Sequence, residues 1–327
     1  MVDKQGRTID YLRISITDRC NLRCTYCMPN DISLVPKSEI MSYEEIIEVA
    51  KAASTLGINK IKITGGEPLV RKNCIPIIRG LKALPGIDAV TITTNGVLLS
   101  DYLDDLKQAK VDGINISLDT MDPDRYFKTT GKDCFYQVLD GVQKSVASGI
   151  KTKINAVSLD YEGALEDVKS LVELARNNPM DVRFIEMMPI GFGKDYPAVS
   201  HGRLLEYLVE EYPGMTLDDN SHGFGPAKYY SIPEFQGSVG LISSIHNKFC
   251  HECNRIRLTS MGELKGCLSF GQGAALLPIL RSEDYGTTGQ ARLVEAIRQV
   301  IEEKPKGHCF ETPKAVTEEK SMVSIGG

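Results

Sequence analysis

The chain has 327 residues with 38 basic and 43 acidic side chains, a formal charge of −5, and that balance excludes affinity for nucleic acid or acidic membrane through net charge. Its nine cysteines are odd in number and gathered in two places, and the opening MVDKQGRTIDYLR has no apolar segment of signal-peptide type, so disulfides are not expected and a reducing cytoplasm is the expected compartment. No apolar run approaches the ~20 residues of a membrane span, and the length suits a barrel of about 250 residues plus an appendage.

Residues 11–17 alternate and are rich in Ile and Leu, which predicts a strand. Directly after it comes RCNLRCTYC, with Cys20, Cys24 and Cys27 in the spacing CxxxCxxC. Three thiolates from one short loop can hold three corners of a cubic iron-sulfur cluster and leave one iron open to a substrate. Zinc is the alternative, although structural zinc asks for four ligands and usually a second CxxC pair downstream.

From Ser42 the run SYEEIIEVAKAASTLG has Glu45 placed for a capping box, apolar residues at helical spacing and Gly57 as a stop. Strand and helix then alternate: strand 60–64, helix 75–84, strand 89–94, helix 100–110, strand 113–118, a loop, helix 133–149, strand 151–159, helix 164–177 and strand 181–187. Six such units joined by short connections predict an α/β fold with parallel strands, a partial (β/α)6 TIM-like barrel two units short of closure.

Ligands of such barrels sit at the C-terminal ends of the strands. The second strand is followed by TGGEP, where Gly66 lets backbone approach a ligand closely and Glu67 could receive an ammonium group; a plain tight turn is the alternative. The third strand ends in TTNG, including Thr93, and the fourth in Ser117, Leu118 and Asp119, small polar positions suited to ribose or carboxylate. The sixth ends in EMMP, where Met187 and Met188 are either core filler or an apolar surface for a ligand.

Composition shifts after Asp195 toward Gly, Pro, Tyr and His, and we place a boundary between a barrel region, 1–220, and a C-terminal cysteine-rich α+β extension, 221–327, covering the barrel mouth. In FCHECNRIRLTSMGELKGCLSF, Cys250, Cys253 and Cys267 form a second three-thiolate set across a hairpin turning at Met261-Gly262. A structural zinc site is again the alternative, but His251 lies between the paired cysteines, where its ring would tend to point away. Strand alternation puts Arg255 and Arg257 on one face, opposite Ile256, a pair suited to bidentate contacts with a polyphosphate or, singly, to a solvated hairpin face. The chain ends in Gly326-Gly327, which reads as a flexible tail, a conjugation handle, or a tail that inserts into a pocket.

The cysteine loop with Tyr26 before its last cysteine resembles the radical S-adenosylmethionine superfamily. Taken with KITGGEPLVR, TTNG, ISLD, RFIEMMPIG, FCHECNRIRL, the later GCL, KPKGH and the Gly-Gly end, the chain resembles, nearly end to end, the GTP 3′,8-cyclase family of molybdenum cofactor biosynthesis. That resemblance implies two 4Fe-4S clusters, on Cys20, Cys24 and Cys27 and on Cys250, Cys253 and Cys267. It implies S-adenosylmethionine contacts at Tyr26, Gly66, Glu67, Ser117 and Met188, and GTP contacts at Arg13, Lys62, Thr93, Lys153, Arg255, Ile256 and Arg257, with Arg255, Arg257, Gly326 and Gly327 serving catalysis. Lys62 stands where the family commonly has arginine, keeping the charge but not the bidentate fork. The implied partners are GTP, a reductant such as flavodoxin or ferredoxin, and cyclic pyranopterin monophosphate synthase as recipient of the product, with no nucleic acid or membrane and a homodimer compatible.

Overall fold

The structure, a computed structural model, describes residues 1–28 and 34–326. The six expected strands are β1 (Tyr11–Ser15), β2 (Lys60–Thr64), β3 (Ala89–Thr94), β4 (Gly113–Ser117), β5 (Thr152–Val157) and β6 (Asp181–Ile185). Between and after them lie α1 (Tyr43–Thr55), α2 (Cys74–Lys82), α3 (Leu99–Gln108), α4 (Pro123–Thr130), α5 (Phe135–Ala147), α6 (Ala164–Val172) and α7 (His201–Glu211). Local chemistry sets the ends: Ser42 and Glu45 form both halves of the capping box on α1, and Asp122 with Pro123 starts α4, a helix inside the stretch expected to be loop.

The C-terminal third adds β7 (Thr216–Asp218), β8 (Lys228–Ser231), β9 (Ser238–Ile242), β10 (Arg255–Leu258), β11 (Glu263–Lys265), β12 (Ala274–Ala275), α8 (Leu277–Leu280), α9 (Gln290–Glu302) and α10 (Met322–Ile325). All twelve strands share one sheet, ordered β12-β11-β10-β1-β2-β3-β4-β5-β6-β9-β8-β7. β10 joins β1 in parallel and β9 joins β6 in parallel, so residues 221–326 supply two further parallel strands to the six-unit arc. They extend the same sheet at both edges, and no ladder among the described residues closes the ring.

The alternation of the strands sorts two layers. Leu12, Ile14, Ile61, Ile63, Val90, Ile92, Ile114, Ile116, Ile154, Val182, Phe184, Ile256 and Leu258 are buried against the helices in one continuous core, each such side chain contributing about 1.5–3 kcal/mol. The intervening positions, among them Arg13, Lys62, Thr93, Arg255 and Arg257, are only partly covered and face the inside of the curled sheet. Contacts that skip strands show the curl: Arg183 on β6 hydrogen-bonds to Asn115 on β4. No helix among the described residues is long and apolar enough to cross a membrane.

Candidate active site

Cys20, Cys24 and Cys27 follow the C-terminal end of β1, and three neighbouring loops fix them. Gly66 N–H donates to Thr17 O at 2.8 Å and Glu67 N–H to Arg19 O at 2.8 Å; a Cβ on Gly66 would stand 2.3 Å from Arg19 O, so only glycine lets the loop after β2 lie against the cysteine loop. Asn95, from TTNG, donates its side-chain amide to Asn21 Oδ1 at 2.8 Å and points it at Cys20 Sγ at 3.7 Å. On the far side, Arg23 N–H and Thr25 N–H donate to Thr130 O and Thr129 O at 2.8 and 3.0 Å, which moors the loop to the end of α4.

Tyr26 donates its hydroxyl to Asp119 Oδ2 at 2.7 Å, while Asp119 Oδ1 accepts from Val157 N–H at 2.9 Å; one buried carboxylate thus links the cysteine loop, β4 and β5. A cleft here is lined by Cys24, Tyr26, Asn95, Ser117 and Tyr126, and Tyr126 OH is buried with no hydrogen-bond partner among the described residues. Three sulfurs with no fourth protein ligand among the described residues, a glycine cradle and an unsatisfied hydroxyl fit an iron-sulfur cluster with S-adenosylmethionine beside it. Burial raises all three thiols, Cys27 to about 12, and the Asp119 and Glu67 carboxylates push the same way.

The second set lies at the other end of the barrel. Cys250 and Cys253 precede the N-terminal end of β10, which runs parallel to β1, and Cys267 follows β11, antiparallel to β10. The two sets are thus separated by the length of the strands, roughly 15 Å at ~3.3 Å per residue. Burial would raise the Cys253 thiol, yet Arg255, Lys304 and the Arg255 N–H bring it down to about 6. His251 is 74% exposed and pairs with Glu252, so it completes no site with these cysteines. Among the described residues no three Cys, His, Asp or Glu groups converge as the ligands of a single metal ion would.

Between the two ends the lumen is lined with cations. Arg13 is in register with Lys62 on one side and Arg257 on the other. Burial, with Arg183, Arg13, Lys153 and Arg255 around it, depresses Lys62 strongly, and burial with Arg13 and Arg255 does the same to Arg257. Arg183 belongs to this set and escaped the sequence reading; its signal was RFIEMM, where its position in β6 makes it face inward by alternation.

The tail reaches this chamber at the C-terminal end. Val323 and Ile325 are buried, Ile325 packing with Ile190, Leu268 and Phe310 next to Met188 and Met322. The Val323 N–H bonds to Cys27, and Arg257 Nη1 donates to Gly326 O at 3.4 Å. Gly326 has φ +73° and a Cβ there would stand 2.9 Å from Ser15 Cβ. Gly327 lies outside the described residues.

Three of the expected contact residues have partners within the protein. The Glu67 side chain is fully buried and accepts from Leu69 N–H, Thr94 Oγ1 and Asn95 N–H at 3.0, 2.8 and 2.6 Å; it ties β2 to β3 and offers a ligand only its backbone. Ile256 points into the core, away from its arginine neighbours, leaving only its main chain for a nucleotide. Lys153 is engaged by Asp181 at 2.6 Å, Tyr229 OH at 2.9 Å and His222 O, so its three ammonium protons are already used. Thr93 and Ser117 stand where expected, on the lumen side of β3 and at the cleft.

A model of the Radical SAM superfamily matches residues 14–188 and one of Molybdenum Cofactor Synthesis C matches residues 180–310. The chain is 39% identical over 328 residues to the GTP 3′,8-cyclase of Clostridium perfringens, with all of both chains covered. It is 40% identical to that of Peptoclostridium acidaminophilum, covering 100% of this chain and 98% of that one. In fold it is similar to SuiB of Streptococcus suis bound to S-adenosylmethionine, with a TM-score of 0.64 at 16% identity over 97% of this chain and 77% of that one. A cysteine-lined radical chamber with a cationic lumen, matched end to end by these relatives, makes the chain a member of the GTP 3′,8-cyclase family within the radical S-adenosylmethionine superfamily.

Proposed function

We propose that this chain cyclises GTP to 3′,8-cyclo-7,8-dihydroguanosine triphosphate in a radical S-adenosylmethionine-dependent reaction, the first step of molybdenum cofactor biosynthesis. The observation that carries this reading is the lumen, where Arg13, Lys62, Arg183, Arg255 and Arg257 crowd one another. Buried like charges are costly unless a counter-charge joins them, and a triphosphate supplies that charge together with acceptors for bidentate arginine. The chamber has one cysteine set at each end, so a nucleotide lying along it meets both.

Cys20, Cys24 and Cys27 would hold the cluster that supplies one electron to S-adenosylmethionine, and the radical chemistry this enables would join the ribose 3′ carbon of GTP to carbon 8 of guanine, with 5′-deoxyadenosine carrying off the 3′ hydrogen and one further electron and proton completing the 7,8-dihydro product. The protein's share is positioning. Gly66 and Asn95 set the cysteine loop, Asp119 holds Tyr26 against the cleft, and the arginines of β10 and β1 grip the nucleotide along the lumen. The curled sheet shields the radical from bulk water on the strand side.

We read Cys250, Cys253 and Cys267 as holding a second 4Fe-4S cluster beside which guanine is anchored, with residues 221–327 as the substrate-binding region. The two sets sit in opposite fields: carboxylates surround the first and cations the second. Positive charge favours a reduced cluster and negative charge disfavours it, so the first site suits a strong reductant and the second a place to hold substrate. Lys153 reaches phosphate on this reading by exchanging Asp181 for it. A flavodoxin- or ferredoxin-type reductant serves the first cluster, and the product passes to cyclic pyranopterin monophosphate synthase; the chemistry requires no second copy of the chain.

Anaerobic incubation of the reconstituted chain with GTP, S-adenosylmethionine and dithionite, followed by product analysis, tests the reaction. Iron analysis tests the clusters, two of which need about eight iron atoms per chain. Zinc in place of iron, or 5′-deoxyadenosine without a cyclised nucleotide, would sink the reading.

A further inference from the structure

The KPKGH segment, Lys304 to His308, has no task in the reaction as described, yet it touches Cys250 and brings a charge near Cys253 and Cys267. Lys304 is 3% exposed, and its ammonium donates to Arg255 O at 2.9 Å and Gly266 O at 2.5 Å. The first of these carbonyls lies two residues after Cys253 and the second directly before Cys267, and the ammonium is close enough to interact electrostatically with both thiols. Gly307 lies against Cys250, a Cβ built there standing 3.6 Å from Sγ, and the His308 N–H donates to the same Sγ at 3.5 Å.

Arg7, from the N-terminal segment, braces this arrangement. Its guanidinium donates to the carbonyls of Cys250, Lys306, Pro305 and Lys304 at 2.9, 3.2, 2.8 and 3.2 Å, and it pairs with buried Asp3 at 2.6 Å. Arg7 thus has its own counter-ion, whereas Lys304 is held by carbonyls. A buried ammonium without a carboxylate is costly, and the negative charge that offsets it here is that of the thiolates.

We propose that the Lys304–His308 segment is an electrostatic cradle for the second cluster, in which the Lys304 ammonium and the His308 N–H at Cys250 raise its reduction potential. The inference rests on the reading of Cys250, Cys253 and Cys267 as cluster ligands. One-electron reduction adds one negative charge to a cluster, and a fixed cation and an N–H aimed at sulfur both favour that state. Lys304 is therefore a positioning residue that touches no substrate atom and acts through the cluster.

The experiment uses the full chain with Cys20, Cys24 and Cys27 replaced by serine, reconstituted anaerobically with iron and sulfide so that the second set alone is loaded, and titrated potentiometrically with electron paramagnetic resonance as the readout. Lys304→Met lowers the reduced-to-oxidised ratio at fixed potential at least tenfold, a downward midpoint shift of about 59 mV for one electron, and Lys304→Arg restores most of it. An unchanged midpoint in Lys304→Met overturns the inference. Where the thermal midpoint shows Lys304→Met to be unfolded, His308→Pro, compared with His308→Ala, which loses the same imidazole but keeps the N–H at Cys250, still has to lower the potential, and no difference between the two overturns the inference equally. A parent chain that takes up no iron overturns the underlying reading of the second cysteines instead.

Discussion

Arg13 of β1 and Arg257 of β10 stand side by side in parallel register, with Lys62 flanking Arg13 on the other strand. Like charges directly opposite one another destabilise a sheet. Burial first, then Arg255 and Arg183, lowers the Arg13 guanidinium to about 10. An anionic substrate placed against this row meets several cations at once.

Replacing one member of this row should move stability and binding in opposite directions. Lys62→Met removes a buried charge and raises the thermal midpoint of the substrate-free chain, while weakening GTP binding by about 1.5–3 kcal/mol, the range of a charge-assisted hydrogen bond. Arg255→Ala and Arg257→Ala lose affinity in the same range. Titration calorimetry and thermal melts measure both quantities, and unchanged GTP affinity in all three variants would remove the lumen from the substrate site.

Serine at Cys20, Cys24 or Cys27 should abolish 5′-deoxyadenosine formation, because a hydroxyl is a poor ligand for iron in a sulfur-held cluster. GTP binding should persist, since the cations that grip the nucleotide stand on β1, β2, β6 and β10 and not on the cysteine loop. A variant that still forms 5′-deoxyadenosine at the normal yield takes its cysteine out of the cluster.

The strands and the first cysteine loop were legible because their signals are local: alternation, capping and spacing. Strand bounds for β2 and β3 coincide with those expected. What escaped was set by pairing between distant segments. Nothing near RIRL says that it will lie beside YLRIS, so the second cysteine set was referred to the barrel mouth, while parallel pairing places it at the opposite end. The hydrogen bonds of Glu67 were out of sight for a related reason: its partners Thr94 and Asn95 come from the next strand and the loop after it. Arg183 was hidden among apolar neighbours, and only the curl of the sheet brings it to Asn115.

His201 offers a pH test of the wall between β5 and β9. It is buried between Ser158 Oγ at 3.2 Å and Ser243 Oγ at 2.7 Å, and burial lowers its folded-state value from 6.5 to about 4. The unfolded chain therefore takes up a proton that the folded chain refuses, so stability from this group is intact above pH 6.5 and is lost as pH falls toward 4. At ~1.36 kcal/mol per unit of difference the loss is a few kcal/mol. The thermal midpoint of the wild type should fall across that window by more than that of His201→Gln; parallel curves would refute the assignment.

Gly326 joins the tail to the chamber in two separable ways. Its φ of +73° lies in the left-handed region, which favours glycine, and its α-carbon faces Ser15 so closely that a Cβ would stand 2.9 Å from the serine Cβ. Its carbonyl accepts from Arg257, the same side chain that lines the nucleotide lumen. Gly326→Ala should therefore displace the end of the tail and loosen Arg257 without removing a ligand from either cysteine set, leaving iron content and 5′-deoxyadenosine formation in place while the ratio of cyclised nucleotide to 5′-deoxyadenosine falls by about tenfold or more, as expected for lost orientation. Gly326→Asn separates the causes, because asparagine tolerates the left-handed conformation yet still carries a Cβ. Equal damage in both variants assigns the effect to space beside Ser15, and recovery in Gly326→Asn assigns it to backbone conformation. Pairing Gly326→Ala with Ser15→Gly, which removes the opposing Cβ, should restore part of the ratio in the first case only. A ratio in Gly326→Ala equal to that of the wild type would show that the tail has no part in steering the radical.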